Sequence, residues 1–246
     1  MKIIVNGAGG RMGRTLCDLI EKSEKHTLAA KVSIEFEADA ENGIYKSLGE
    51  FTGEADMLID FSNHIATYDV TSYALKRGLP VVIATTGQNE EEMAMIKSAS
   101  AEVPLFYSQN MSLGVAILSC LAKIAAKALP DSDIEIIEKH HNQKLDVPSG
   151  TAILLADAIK SVRSEAEYNI GRQGYGKRSK NEIGIHSLRM GGEVGTHEII
   201  FAMGSQVITL KHEAENRGLF AEGALSAAEF LASQEAGFYN MDSILG

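Results

Sequence analysis

The chain has little cysteine, little basic charge and no long hydrophobic run. Only two cysteines occur in 246 residues. Cys17 and Cys120 each lie in a helix-like apolar stretch. They read as buried free thiols in a reducing compartment, which excludes a disulfide framework. Lysine and arginine number 23 against 33 acidic residues, a formal net charge of -10. That balance argues against a nucleic-acid partner. It leaves the substrate open, because a basic pocket can sit within an acidic surface. No apolar stretch is long enough to span a bilayer, and residues 1–5 run straight into a glycine loop without a secretory pattern. There is no internal repeat and no low-complexity segment. These absences predict a cytosolic globular chain of one large or two modest domains, with neither nucleic acid nor membrane as partner.

What is present is a strand–helix alternation. Residues 2–5 form a buried-type strand, 7–13 a glycine turn and 14–24 a helix. Further strands are predicted at 28–32, 57–61, 80–84 and 104–107. Helices are predicted at 64–77, ended by Gly78, and at 90–101. Residues 38–52 read as a loop with little regular structure. Alternation of this kind predicts a Rossmann-like, doubly wound parallel sheet. The pattern then changes. A long apolar helix at 112–128 leads to a half-exposed strand at 133–138 and a helix at 152–163. After a Gly-rich surface loop at 171–181 come alternating runs at 183–189, 197–201 and 207–212, then a helix at 220–233. This second part predicts a smaller α+β domain with an open mixed or antiparallel sheet.

Gly7, Ala8, Gly9, Gly10, Arg11 and Met12 follow the first strand and precede the first helix, the context that a dinucleotide loop requires. Gly13 suits close helix–strand packing. The plainer alternative is a glycine turn with no ligand. The acid that reads a cofactor ribose is expected near Ser33, which is not acidic, and Glu35 lies two residues too far on. With that carboxylate absent and Arg11 able to meet a 2′-phosphate, NADPH is expected to serve at least as readily as NADH. Ala84, Thr85 and Thr86 end the fourth strand; Ser108, Gln109, Asn110 and Met111 end the fifth. Ligands of doubly wound sheets collect at such ends.

The most informative stretch runs from Glu138 to Ala152. Two adjacent imidazoles, His140 and His141, and the amine of Lys144 precede Pro148-Ser149-Gly150-Thr151, which opens a helix. Imidazole and ammonium groups can donate protons near neutral pH. The start of a helix presents unpaired N–H groups to an anion. Taken singly, these residues read as exposed histidines, a solvated lysine and an ordinary Ser or Thr cap. Adjacent residues of an extended segment point apart, so the His pair is awkward as a chelate, and no zinc spacing completes it. No metal is expected.

This stretch closely resembles the E-x-H-H-x-x-K-x-D-x-P-S-G-T-A signature of the dihydrodipicolinate reductase family. Residues 5–14 resemble that family's cofactor loop, and the likeness extends over nearly the whole chain. It implies reduction of 4-hydroxy-tetrahydrodipicolinate, a small dicarboxylate substrate, by NADPH or NADH in the diaminopimelate/lysine pathway. It implies His140 as proton donor, Lys144 as second donor, His141 as an orienting group, and Gly150 with Thr151 as the carboxylate cradle. Cofactor contacts are implied for Gly7 to Met12, Ala84 to Thr86 and Ser108 to Met111. It further implies a dinucleotide-binding domain of residues 1–111 completed by 218–246, a substrate and assembly domain of 112–217, a homotetramer formed through the second sheet, and domain closure that excludes water. Gly191, Gly192, Glu193, Gly195 and His197 resemble the family's R-x-G-x-x-x-G-x-H stretch, where Arg189 is expected to attract an anionic substrate. The chain departs from the family at Ser33, at Ala84 in place of Gly and at Met111 in place of Phe. Two rivals remain: a nicotinamide-binding sensor, and another small amino-acid or carbonyl dehydrogenase. The intact His-His-x-x-Lys and Ser-Gly-Thr segments count against both.

Overall fold

The elements follow in the order β1 (Lys2–Asn6), α1 (Arg11–Glu21), β2 (Thr27–Val32), β3 (Ile44–Tyr45), β4 (Met57–Asp60), α2 (Thr67–Arg77), β5 (Val81–Ile83), α3 (Glu90–Ala99) and β6 (Pro104–Tyr107). Then come α4 (Leu113–Ala128), β7 (Asp133–His140), α5 (Gly150–Lys160), β8 (Glu167–Ile170), β9 (Glu182–Arg189), β10 (Gly195–Met203) and β11 (Gln206–Ala214). The chain ends with α6 (Gly218–Leu231), β12 (Gly237–Tyr239) and α7 (Met241–Leu245). The computed structural model describes residues 1–246 and divides them into two units.

The first unit comprises Met1–Ser112 with Gly218–Gly246. Its seven strands run parallel in the order β12-β6-β5-β4-β1-β2-β3. Continuous Val, Ile and Leu runs make β1, β4 and β5 strands buried on both faces. Ile4, Leu58, Val81 and Ile83 pack with Val70 and Ile96 of the helices. α6 lies against the end of β6. A Cβ on Gly223 would meet the Met111 carbonyl oxygen at 1.6 Å, so only glycine permits that approach.

The second unit is Leu113–Arg217. Its five-stranded sheet has the order β11-β10-β7-β9-β8. β10 runs antiparallel to both β7 and β11, and β9 runs parallel to β7 and β8, so the sheet is mixed. Leu118, Ala122, Leu155, Ile136, Ile199 and Phe201 form the core between α4, α5 and the sheet. β7 alternates strictly: Ile134, Ile136, Glu138 and His140 face inward and Asp133, Glu135, Ile137 and Lys139 outward. No helix of the chain is long and apolar enough to cross a membrane.

Several boundaries differ from the sequence expectation. α1 starts at Arg11, three residues early, because Gly10 is already in an extended N-cap conformation. α5 starts at Gly150 because the Ser149 hydroxyl caps the Ala152 N–H. β7 continues to His140, which puts the first histidine inside the strand. Residues 38–52 carry β3 and two 3-10 turns, Ala40–Asn42 and Leu48–Glu50, where only loop was expected. β8, β12 and α7 were not anticipated.

Candidate active site

In the first unit, the glycine loop turns at Gly7, whose φ of +79° favours a residue without Cβ. A Cβ on Gly13 would lie 2.1 Å from the Gly7 carbonyl oxygen, so α1 meets the loop in direct backbone contact. Gly10 provides no side chain to cap the helix. The first-turn amides therefore face outward at the positive end of the helix, the arrangement that suits a pyrophosphate. Arg11 is exposed beside them, Met12 is half-buried, and Ala8 is buried with its N–H bonded to the Val32 carbonyl at 3.0 Å. The residues present fit a dinucleotide.

The expectation that this loop lacks a carboxylate is corrected. A Cβ on Gly9 would lie 2.6 Å from Ser33 Oγ and 3.0 Å from Glu35 Oε2. The turn closed by Phe36 N–H to the Ser33 carbonyl, with Glu35 N–H donating to Ser33 Oγ at 3.3 Å, swings Glu35 back over Gly9. Residue count along the strand overlooks this turn.

At the strand ends, sequence reasoning missed Asp60. Its carboxylate is buried, and it accepts hydrogen bonds from Asn6 Nδ2 at 2.8 Å, Ser62 Oγ at 2.6 Å and Thr85 Oγ1 at 2.6 Å. Burial pushes its pKa up, against the hydrogen bonds from Ser62, Thr85 and Asn6. This knot ties the ends of β1, β4 and β5 together. Thr85 and Met111 are placed differently from the expectation: the Thr85 hydroxyl is engaged inside the fold, and Met111 is a core side chain, 2 % exposed. Ala84 is also buried, whereas Thr86 and Gln109 are exposed. Ser108 Oγ donates to the Asn110 carbonyl and accepts from Asn110 N–H, which shapes the turn after β6.

In the second unit, strand alternation turns His140 inward, while His141 accepts a contact from Arg217 Nη2 at 3.3 Å. Sequence reading had not singled out Arg217. The Nδ1 of His140 lies 2.6 Å from Glu138 Oε2. Arg189, on the neighbouring β9, forks onto Glu138 at 2.8 and 2.7 Å and donates to the Asp146 carbonyl. The expected role of Arg189 as an attractor of substrate is therefore corrected. Its charge is neutralised internally, because the register pairs β9 with β7 at that point. Burial would push the Glu138 carboxyl up, but hydrogen bonds from His140, Arg189 and the Ser149 N–H hold it well below the usual range. Ser149 Oγ lies 3.0 Å from His197 Nε2. Burial first, and the nearby His140 second, push the His197 imidazole down to about 3, so His197 is neutral.

The cradle has an informative occupant. Asp146 pairs with Lys144 Nζ at 2.8 Å through Oδ1 and accepts the Gly150 N–H at 3.3 Å through Oδ2. One carboxylate thus spans the ammonium and the first amide of α5. A Cβ on Gly150 would meet nothing within 4 Å, so the space beside its Cα is open.

Two family models cover the chain: dihydrodipicolinate reductase, N-terminus, matches residues 1–111, and dihydrodipicolinate reductase, C-terminus, matches residues 114–245. The chain belongs to the dihydrodipicolinate reductase family. It is 46% identical to the 4-hydroxy-tetrahydrodipicolinate reductase of Caldanaerobacter subterraneus subsp. tengcongensis, over 100% of this chain and 98% of that one. It is 42% identical to the reductase of the same name from Clostridium novyi, over 99% and 98%. Among solved structures, a dipicolinate-bound dihydrodipicolinate reductase from Paenisporosarcina sp. TG-14 superposes with a TM-score of 0.81 at 24% identity, covering 98% of this chain and 97% of that one. At that identity the likeness bears on the fold.

Proposed function

We propose that this chain is a 4-hydroxy-tetrahydrodipicolinate reductase of the diaminopimelate/lysine route, working in the cytoplasm with NADH or NADPH. The observation that carries the reading is the Asp146 carboxylate held between Lys144 and Gly150. Those donors are the ones a dicarboxylate substrate would meet. The related structure that superposes on this chain holds dipicolinate, a planar dicarboxylate.

The reduced nicotinamide supplies the hydride when bound. Gly7 to Met12 position its pyrophosphate, and Thr86, Ser108, Gln109 and Asn110 line the strand ends beside it, with Ala84, Thr85 and Met111 shaping them from within. His140 delivers a proton from Nε2, since Nδ1 is engaged by Glu138. Lys144 serves as second donor and offsets negative charge as it develops. Gly150 and Thr151 hold one carboxylate, and His141, steadied by Arg217, orients the ring. The outward face of the five-stranded sheet, with Leu188 40% and Val207 63% exposed, supports a homotetramer built through it. The deciding assay follows loss of reduced-cofactor absorbance with freshly generated substrate. Tight cofactor binding with no turnover would instead identify a sensor.

Glu35 reverses the expected cofactor preference. A carboxylate over Gly9 suits the ribose diol and repels a 2′-phosphate. NADH is therefore expected to bind at least as well as NADPH. Glu35→Gln should shift the ratio toward NADPH by about tenfold, or about 1.4 kcal/mol. Calorimetric titration of both cofactors checks this, and an unchanged ratio would assign Glu35 no part in selection.

Pyridine-2,6-dicarboxylate is expected to inhibit competitively against substrate, and Thr151→Val should weaken it. The loss is about 1 kcal/mol for a neutral donor and up to about 3 for one meeting a charge. Inhibition constants measured alongside cofactor affinity are the test. Competition with cofactor instead of substrate would reduce the Ser149–Thr151 turn to a helix cap.

A further inference from the structure

Glu138 is an unusual residue to find in the interior of the second unit. It is fully buried, at 0% exposure, on the inward face of β7. Four donors converge on it: His140 Nδ1 at 2.6 Å, the Ser149 N–H at 3.1 Å, and the two Arg189 nitrogens at 2.8 and 2.7 Å. A buried ion pair is weak evidence for stability, because desolvation cancels much of its attraction and apolar side chains of similar volume serve as well. Its value here lies in what it joins. His140 sits two residues along the same strand face. Ser149 caps α5 through Oγ, and its backbone begins the turn that carries Gly150 and Thr151. Arg189 also donates to the carbonyl of Asp146, whose side chain spans Lys144 and Gly150. The proton donor and the cradle therefore meet at one carboxylate.

We infer that Glu138, clamped by Arg189, is the positioning residue of this active site and fixes His140 with Nδ1 protonated and Nε2 as the atom that gives up the proton. This rests on the proposed role of His140. A carboxylate forked onto Arg189 can only accept, so the 2.6 Å contact requires the hydrogen on His140 Nδ1. Nε2 faces the other way, where a Cβ on Gly195 would lie 3.0 Å from it. Glycine at 195 leaves that nitrogen unobstructed by a neighbouring side chain. The proton balance is simple. The imidazolium carries hydrogen on both nitrogens. The 4-hydroxy substrate first loses its hydroxyl as water to leave an unsaturated ring. Hydride from the reduced nicotinamide then adds to the electron-poor ring carbon, and the Nε2 proton moves to the electron-rich atom that results. Neutral His140 keeps its Nδ1 hydrogen on Glu138, without a ring flip, and Nε2 takes a new proton from solvent. An orienting carboxylate of this kind is worth a large factor where it fixes the tautomer of a catalytic histidine.

The test uses the full chain labelled with nitrogen-15 in histidine, with the His140 signals assigned by their loss in His140→Gln. In its neutral form, wild-type His140 is expected to show the Nδ1–H tautomer, the less favoured one for free imidazole. Glu138→Gln keeps one oxygen to accept the Ser149 N–H, so the cradle stays in place. It is expected to lower kcat by about 10²-fold or more, with substrate KM and cofactor affinity within about twofold of wild type. In the double variant Glu138→Gln/His140→Gln, turnover should be no lower than in His140→Gln alone, because the first residue acts through the second. Should Glu138→Gln fail to fold, the wild-type tautomer decides by itself. An Nε2–H tautomer in the wild type, or losses that multiply in the double variant, overturns the positioning role and leaves His140 as donor. Near-normal turnover in His140→Gln overturns the donor reading, and this inference falls with it.

Discussion

His140→Gln and Lys144→Ala are each expected to lower kcat by about 10²–10⁴. Both residues belong to the second unit and the glycine loop to the first, so cofactor affinity should hold in both. The two variants should differ in KM. His140 points Nε2 away from Glu138 and has no part in the carboxylate cradle, so its loss acts on proton transfer alone. Lys144 already pairs with a carboxylate at 2.8 Å in the resting chain. Its removal takes away a charge-assisted contact as well as a proton donor, and KM should rise with the fall in kcat. Glutamine preserves much of the size of the imidazole and cannot act as a general acid, which separates chemistry from packing. Steady-state kinetics with a separate NADPH titration measure both effects. Turnover near wild type in both variants would remove these residues from the catalytic role.

The strand–helix alternation and the glycine loop were legible because each depends on local pattern. Continuous apolar runs make buried parallel strands, and a Gly-rich turn between strand and helix has few other uses. Strand alternation also separated His140 from His141 correctly, one inward and the other toward Arg217. What escaped depends on contacts distant in sequence. Arg189 looked like a substrate-binding cation because nothing local shows that β9 lies beside β7 and brings it onto Glu138. Thr85 looked like a ligand contact because its partner Asp60 is on another strand. Glu35 looked misplaced because the turn at Ser33 reverses the chain by a side-chain hydrogen bond. β8 and β12 are short, of four and three residues, and carry no pattern of their own. Each is an edge strand held by a single neighbour.

Gly13→Ala is expected to abolish useful cofactor binding, and Gly10→Ala to weaken it far less. The two glycines are three residues apart in one motif, yet their surroundings differ. A Cβ at position 13 would sit 2.1 Å from the Gly7 carbonyl oxygen and 2.7 Å from the Ala8 Cα. Both are backbone atoms of the loop itself and cannot rotate aside. A Cβ at position 10 would meet only the Gly7 oxygen, at 3.3 Å, which a few tenths of an ångström relieve. For Gly13→Ala, α1 must therefore back away from the loop. Overpacking of this kind costs typically about 1–3 kcal/mol in stability. The larger consequence is for binding. The proposed pyrophosphate site consists of amides in the turn and at the start of α1, and moving one against the other would spoil their convergence on a single anion. A loss of at least about 100-fold in cofactor affinity corresponds to about 2.8 kcal/mol, which is two or three displaced hydrogen bonds at about 1 kcal/mol each. Fluorescence titration of reduced cofactor against both variants and wild type measures this, with circular dichroism to show that each chain is folded. The second unit carries the proposed substrate cradle and should still bind pyridine-2,6-dicarboxylate weakly in both variants. If Gly13→Ala folds and binds cofactor as wild type does, the helix start is not the pyrophosphate site, and the glycines at 7, 10 and 13 serve only to let α1 pack against β1.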